Sequence, residues 1–187
     1  MRLMTQKVDA RYFEHAAYRA VELPFVRGCS LAVLLPDRRL DAVVDQLARD
    51  GGIDRALAGG RDVRVRLSLP RVTLDSGGIE LQGILSKLGV RALFQPDADF
   101  SGISTMPTWA AGIGHRATLE VDELGATATA ATVGRMALGI SRDPPEIIEF
   151  RVDRPYVMLL LVRQTGAVLF ASTVTEPPRL ASVRPQS

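Results

Sequence analysis

The chain has 187 residues, with 23 Lys+Arg against 21 Asp+Glu for a formal charge of +2, 47% apolar residues and a single cysteine, Cys29. That is enough chain for one domain with its own core. The near-neutral balance, without a basic block, argues against nucleic acid as a partner, and one cysteine excludes an internal disulfide.

In chain order, the first seven residues, with Met1 and Lys7 at their ends, hold no apolar segment of the kind that heads a secretion signal. Met4-Thr5-Gln6 and Ala20-Val21-Glu22-Leu23-Pro24-Phe25 read as sheet material. Ser30-Leu31-Ala32-Val33-Leu34-Leu35-Pro36 is an apolar run closed by proline, the pattern of a strand buried on both faces. Leu40, Val43, Val44 and Leu47 then recur at helical spacing until Gly51-Gly52 stops them, and a second short helix over 53–57 ends at Gly59-Gly60. Val63, Val65, Leu67 and Leu69 alternate with Arg64, Arg66 and Ser68, which predicts a half-buried antiparallel strand over 62–70.

Residues 78–90 put Leu81, Ile84, Leu85 and Leu88 on one face with Gly89 as a stop, predicting an amphipathic helix with those four side chains inward. Residues 111–121 read as one long strand and 146–152 as another, with Ile147, Ile148 and Phe150 apolar. Residues 157–163 and 168–174 are apolar strands joined across Gln164-Thr165-Gly166, a hairpin signal. No apolar run reaches membrane-spanning length, and 179–187 is a polar tail. There are no internal repeats.

Catalytic patterns are missing from the sequence. His15 and His115 stand in unrelated contexts, and there is no Cys/His cluster for zinc, no phosphate loop and no Gly-x-Ser-x-Gly elbow. No catalytic residue, metal site or cofactor is expected. Asp97 and Asp99 sit in a turn, where Asp is common for local hydrogen bonding. Arg61, Arg64, Arg66 and Arg71 gather in one stretch, and alternating cations on the open face of a strand are usually just solvated.

The most informative stretch is 123–145. Its centre, Gly125-Ala126-Thr127-Ala128-Thr129-Ala130-Ala131-Thr132, has no large side chain and no charge, so it cannot bury enough apolar surface to anchor an ordinary core strand. Yet its residues alternate at period two. One face carries Ala126, Ala128, Ala130, Thr132, Gly134, Met136 and Leu138; the other carries Thr127, Thr129, Ala131, Val133, Ala137 and one charge, Arg135. Such a segment is a mobile loop that could enter a sheet as a strand, small groups inward and Arg135 to solvent.

Several motifs accompany it in order. Asp99-Phe100-Ser101-Gly102-Ile103, Asp153-Arg154-Pro155-Tyr156, the closing stretch from Phe170 to Pro177, the Pro70-Arg71 step and the loop entry Glu123-Leu124-Gly125 together resemble the serpins, inhibitors that trap serine or cysteine proteases. The resemblance runs over residues 1–178 and implies an α+β, serpin-like multi-sheet fold. It covers the carboxy-terminal half only, mostly antiparallel, with few short helices and a long exposed reactive loop.

It further implies that Glu123, Gly125, Ala126, Thr127, Ala128, Thr129, Ala130 and Ala131 form the loop hinge. Arg71 would pair with Glu123 at the top of the large sheet, and His115 would be the structural histidine where that sheet parts. Fifteen or so residues from Gly125, the family's loop length, put the cleaved bond at Gly139–Ile140, with Leu138 or Arg142 as alternatives. The implied partners are a serine or cysteine protease and the absent amino-terminal half of the domain, not a membrane or nucleic acid. The implied compartment is extracellular, and the implied alternative is a truncated or non-inhibitory module that cannot trap a protease.

Overall fold

A computed structural model describes residues 3–25, 28–122 and 147–176, and the chain divides into two compact units, residues 1–73 with 120–187, and residues 74–119. The first unit is built on a seven-stranded sheet. Its strands are β1 (Leu3–Glu14), β2 (Tyr18–Pro24), β3 (Cys29–Pro36), β4 (Arg61–Pro70), β9 (Ile147–Arg151), β10 (Tyr156–Val162) and β11 (Val168–Val174), while β5 (Val72–Asp75), β6 (Ile79–Glu80), β7 (Gly114–His115) and β8 (Thr118–Val121) lie outside it. The order across the sheet is β11-β10-β3-β2-β1-β4-β9. All neighbours are antiparallel except β4 and β9, which run parallel and so need a long crossover between them.

The burial pattern follows the sequence pattern. β3, the continuous apolar run, is buried from Ser30 to Pro36, so both faces of the sheet centre are covered. β4 alternates at its start, with Arg64 and Arg66 exposed and Val65 and Leu67 buried. On one face, Phe13, Tyr18, Ala20, Ala32, Leu34, Val157, Leu159 and Leu161 pack with Val43 of α1 (Leu40–Leu47) and Ala56 of α2 (Gly52–Ala56). Helices of eight and five residues are too short to persist alone, so this apolar contact is what holds them. On the opposite face Val21, Leu23, Leu31, Val33, Leu35 and Met158 are equally buried. The β10–β11 hairpin closes as expected: Gly166 takes φ +70° and donates its N–H to the Val162 carbonyl at 2.8 Å.

The second unit departs from expectation. The helix predicted over 78–90 is α3 (Gln82–Lys87), and none of its residues is buried; Ile84 is 51% and the following Leu88 75% exposed. Local hydrogen bonds set both of its ends. Glu80 lies in the short strand β6 (Ile79–Glu80), and its carboxylate accepts the Gln82 N–H at 3.1 Å, so helix starts only after it. Gly89 takes φ +94°; its N–H donates to the Ser86 carbonyl, and the Val90 N–H donates to the Leu85 carbonyl, the double bond of a Schellman stop. Periodicity reported the apolar face without its burial.

The strand predicted over 111–121 is likewise divided, into β7 (Gly114–His115) and β8 (Thr118–Val121). β7 pairs with β6 and β8 with β5, each as a two-stranded sheet. Among the described residues no helix is long and apolar enough to cross a membrane.

Candidate functional site

The candidate reactive stretch occupies the interval between β8, which ends at Val121, and β9, which begins at Ile147. Residues 123–146 lie outside the described residues, and with them Glu123, Gly125, Ala126, Thr127, Ala128, Thr129, Ala130, Ala131, Leu138, Gly139, Ile140 and Arg142. The structure describes the two strands that carry the interval and what fixes them.

On the entry side, the break between β7 and β8 is held by a clasp. The Arg116 guanidinium donates through Nε to Asp75 Oδ1 at 3.1 Å, and its Nη2 faces Asp75 Oδ2 at 2.5 Å. The same carboxylate accepts the Gly77 N–H at 2.9 Å. Arg116 first, and that backbone donor second, hold the Asp75 carboxyl down at about 2. Beside it, Ser76 donates its N–H to the Ala117 carbonyl at 2.9 Å and accepts the Ala117 N–H on Oγ at 2.8 Å. A side-chain oxygen thus stands where the ladder would use a carbonyl, and the strand is interrupted at Arg116–Ala117. Asp75-Ser76-Gly77-Gly78 is a strong turn signal, and it marks the end of β5 in the sequence.

Further along, Glu80 accepts the Ile113 N–H at 2.9 Å, which with the Gln82 N–H holds its carboxyl below the usual range. Asp99 accepts the Ser101 N–H at 3.0 Å and is lowered by Ser101 as well, as the turn reading of that carboxylate requires. These acids are exposed and engaged with local donors, an arrangement that stabilises a backbone rather than moving protons. Among the described residues no group of three or more His, Cys, Asp or Glu could hold a metal.

The two other described residues implied at the site are separate. His115 is exposed in β7 opposite Ile79, and its ring has no hydrogen-bond partner among the described residues. Arg71 is exposed between β4 and β5. Its expected pairing with Glu123 falls outside the described residues.

On the exit side, β9 lies along β4 with Ile147 opposite Arg64, Glu149 opposite Arg66 and Arg151 opposite Ser68. Arg66 meets Glu149 at 2.9 Å and Arg64 meets Asp9 at 3.9 Å, so two of the four clustered arginines are matched by acids on neighbouring strands. That agrees with a solvated face. Arg154, after β9, donates through Nε to the Pro36 carbonyl at 2.7 Å and reaches Asp37 at 3.3 Å, tying the start of β10 to the end of β3.

Comparison with known proteins follows the same outline. The sequence model of the family described as Serpin (serine protease inhibitor) matches residues 1–177. The chain belongs to the serpin family. It is 30% identical over 175 residues to Iripin-2 of Ixodes ricinus, covering 91% of this chain and 43% of that protein. It is 32% identical over 179 residues to corticosteroid-binding globulin of Oryctolagus cuniculus, covering 94% and 45%. Among solved structures, a serpin from Schistosoma haematobium superposes with TM-score 0.74 at 23% identity, over 94% of this chain and 47% of that one. Thyroxine-binding globulin in complex with thyroxine gives 0.73 at 19%, over 95% and 46%. The chain therefore has the fold of part of a serpin domain and spans under half the length of the relatives it matches.

Proposed function

We propose that the chain is the loop-bearing part of a suicide-substrate protease inhibitor and acts as a bait rather than an enzyme. A serine or cysteine protease attacks the bond Gly139–Ile140, with Leu138–Gly139 or Arg142 as nearby alternatives. The acyl-enzyme forms, and the freed amino-terminal side of the loop, from Gly125 onward, enters the large sheet before water completes hydrolysis. The observation that carries this reading is the small-residue, period-two stretch from Gly125 to Thr132, placed between the ends of β8 and β9. Small groups on the inward face remove steric delay, and trapping depends on insertion outpacing deacylation.

In this reading Glu123, Gly125 and Ala126 to Ala131 are the hinge, Arg71 meets Glu123, and His115 finds its partner on the portion of the domain that the chain lacks. In this reading the bait acts outside the cell, the compartment that the family resemblance implies. The test is incubation of this sequence, joined to the rest of a serpin domain, with a subtilisin- or chymotrypsin-like protease. A denaturant-resistant covalent complex, with the cleaved bond located by mass spectrometry, supports the reading. Cleavage in the loop with no complex rejects it and leaves a non-inhibitory module.

One observation favours that second reading. An open, largely apolar pocket of about 480 Å³ lies between α1–α2 and strands β10 and β11, lined by Val44, Leu47, Ile53, Leu159, Ser172 and Thr173. Its size suits a small ligand, and relatives of this chain include globulins named for a corticosteroid and for thyroxine. A carrier would bind a fluorescent apolar probe there, and a steroid or thyroxine would displace it; no displacement rejects the carrier reading.

A further inference from the structure

The exit strand β9 joins a face of the sheet on which charges are arranged in rows. Across β1, β4 and β9 the residues of this face align as Asp9–Arg64–Ile147, then Lys7–Arg66–Glu149, then Thr5–Ser68–Arg151, all exposed except the buried Ser68. The row containing Ile147 is the one at which the chain enters the sheet.

Within these rows the charges are unequally held. Arg66 is taken by Glu149 at 2.9 Å. Lys7 lies directly opposite Arg66, a like-charge pairing that costs stability, and it has no acidic partner among the described residues. Arg64 meets Asp9 only at 3.9 Å, with the two side chains 51% and 85% exposed. So loose and solvated an ion pair contributes little, and Arg64 can exchange Asp9 for another carboxylate at small cost. Lys7 and Arg64 are therefore diagonal neighbours on adjacent strands, one unmatched and the other weakly matched.

Their distance from the proposed cleavage point is limited by the chain. Ile140 is seven residues before Ile147, and seven extended residues reach at most about 24 Å. A protease domain of roughly 230 residues has a radius of gyration of about 17 Å. The bond Gly139–Ile140 therefore lies within about 24 Å of Ile147, and a protease of this size engaged on it is large enough to reach the end of β4 where Ile147 enters.

We propose that Lys7 and Arg64 form a second contact surface for the target protease, one that selects proteases with acidic residues on the primed-side rim. The proposal rests on the bait reading above and adds the chemistry of the partner. An acidic rim would relieve the Lys7–Arg66 opposition and replace the weak Asp9 contact, and it would steer the encounter before any bond is broken.

The test is the rate of association between this sequence, joined to the rest of a serpin domain, and subtilisin or chymotrypsin, each with its catalytic serine replaced by alanine so that only the encounter is read. Arg64→Glu and Lys7→Glu are compared with Arg151→Glu, which changes the same charge on the same face at the far end of β9, and far-UV circular dichroism confirms that each variant is folded. For at least one protease, Arg64→Glu and Lys7→Glu should each slow association about tenfold at low ionic strength, with the gap closing at high salt, while Arg151→Glu stays near wild type. Equal rates for all four proteins, or an effect as large for Arg151→Glu, would overturn the proposal while leaving the bait reading intact. Failure of the unmodified chain to bind either inactive protease would remove the bait reading, and this inference with it.

Discussion

Arg116 and Asp75 meet across the ribbon that leads toward residue 123, Nε to Oδ1 at 3.1 Å, and the strand breaks at the point where they meet. Because Arg116 and the Gly77 N–H hold the Asp75 carboxyl at about 2, below its ordinary value, the ionised form is favoured in the folded state. A depressed folded value means the contribution is fully present above the unfolded value near 4 and is lost as pH falls toward 2. Asp75→Asn should flatten the acid limb of the stability profile between about pH 4 and pH 2, read by urea unfolding at stepped pH. It should also speed hydrogen exchange at the Ala117 amide. An unchanged acid limb in the variant would show that the clasp is not coupled to folding.

Gly60 closes on Phe13 more tightly than any side chain allows. A Cβ built at Gly60 would lie 2.4 Å from the Phe13 ring, which is 2% exposed and cannot swing away. Gly60→Ala should cost roughly 1–3 kcal/mol by forcing the ring and its neighbours to shift. Its neighbour Gly59 has open space but φ +71°, so Gly59→Ala should cost about 1–2 kcal/mol through backbone conformation alone. Adding Phe13→Leu to both variants separates the mechanisms: it should relieve Gly60→Ala in denaturant melts and leave the cost of Gly59→Ala unchanged.

These residues also show what was legible in the sequence. The sheet strands could be read because each is a long run with an unambiguous period: β3 is apolar without interruption, β4 alternates, and Gln164-Thr165-Gly166 marks a turn. The second unit departs from the sequence pattern because its elements are short and local hydrogen bonds set their ends. Leu81, Ile84, Leu85 and Leu88 have helical spacing, but spacing carries no information about whether another surface covers the face. The Asp75–Arg116 clasp joins residues 41 positions apart, so no local pattern announces it. At the candidate site, motif order placed the loop between two strands, and the structure describes both of them. The rows of charge on β1, β4 and β9 depend on register, which a strand pattern alone does not fix.

Arg154 binds a backbone carbonyl and a carboxylate together. Its Nε donates to Pro36 O at 2.7 Å while Nη2 lies 3.3 Å from Asp37, joining segments that are far apart in sequence. Arg154→Ala should cost about 1–3 kcal/mol, the range for hydrogen bonds from a charged donor at a partly buried carbonyl. Arg154→Lys should recover only part of this, because an ammonium cannot span both acceptors with the fixed fork of a guanidinium. Asp37→Ala should be milder than either, since that contact is half exposed. Chemical denaturation midpoints for the three variants check the order.

Tyr156 presents the opposite case, a polar atom with nothing to bind. Its hydroxyl is buried without a hydrogen-bond partner among the described residues, and desolvation alone pushes its pKa up to about 12. The hydroxyls of Tyr18 and Ser30 are buried in the same condition, on neighbouring strands of the same sheet. A hydroxyl that loses water and gains no partner costs about 1–3 kcal/mol, whereas the ring that carries it is fully buried and favourable. Tyr156→Phe keeps the ring and deletes the penalty, so it should leave stability unchanged or raise it by about 1 kcal/mol. Tyr156→Ala should lower stability by about 3–5 kcal/mol, as expected for removing a large buried ring. The diagnostic is the sign of the Tyr156→Phe change in a denaturant melt. A loss of 1 kcal/mol or more would mean that the hydroxyl has a partner, such as a bound water, and that the centre of this sheet is a satisfied polar site rather than a strained one.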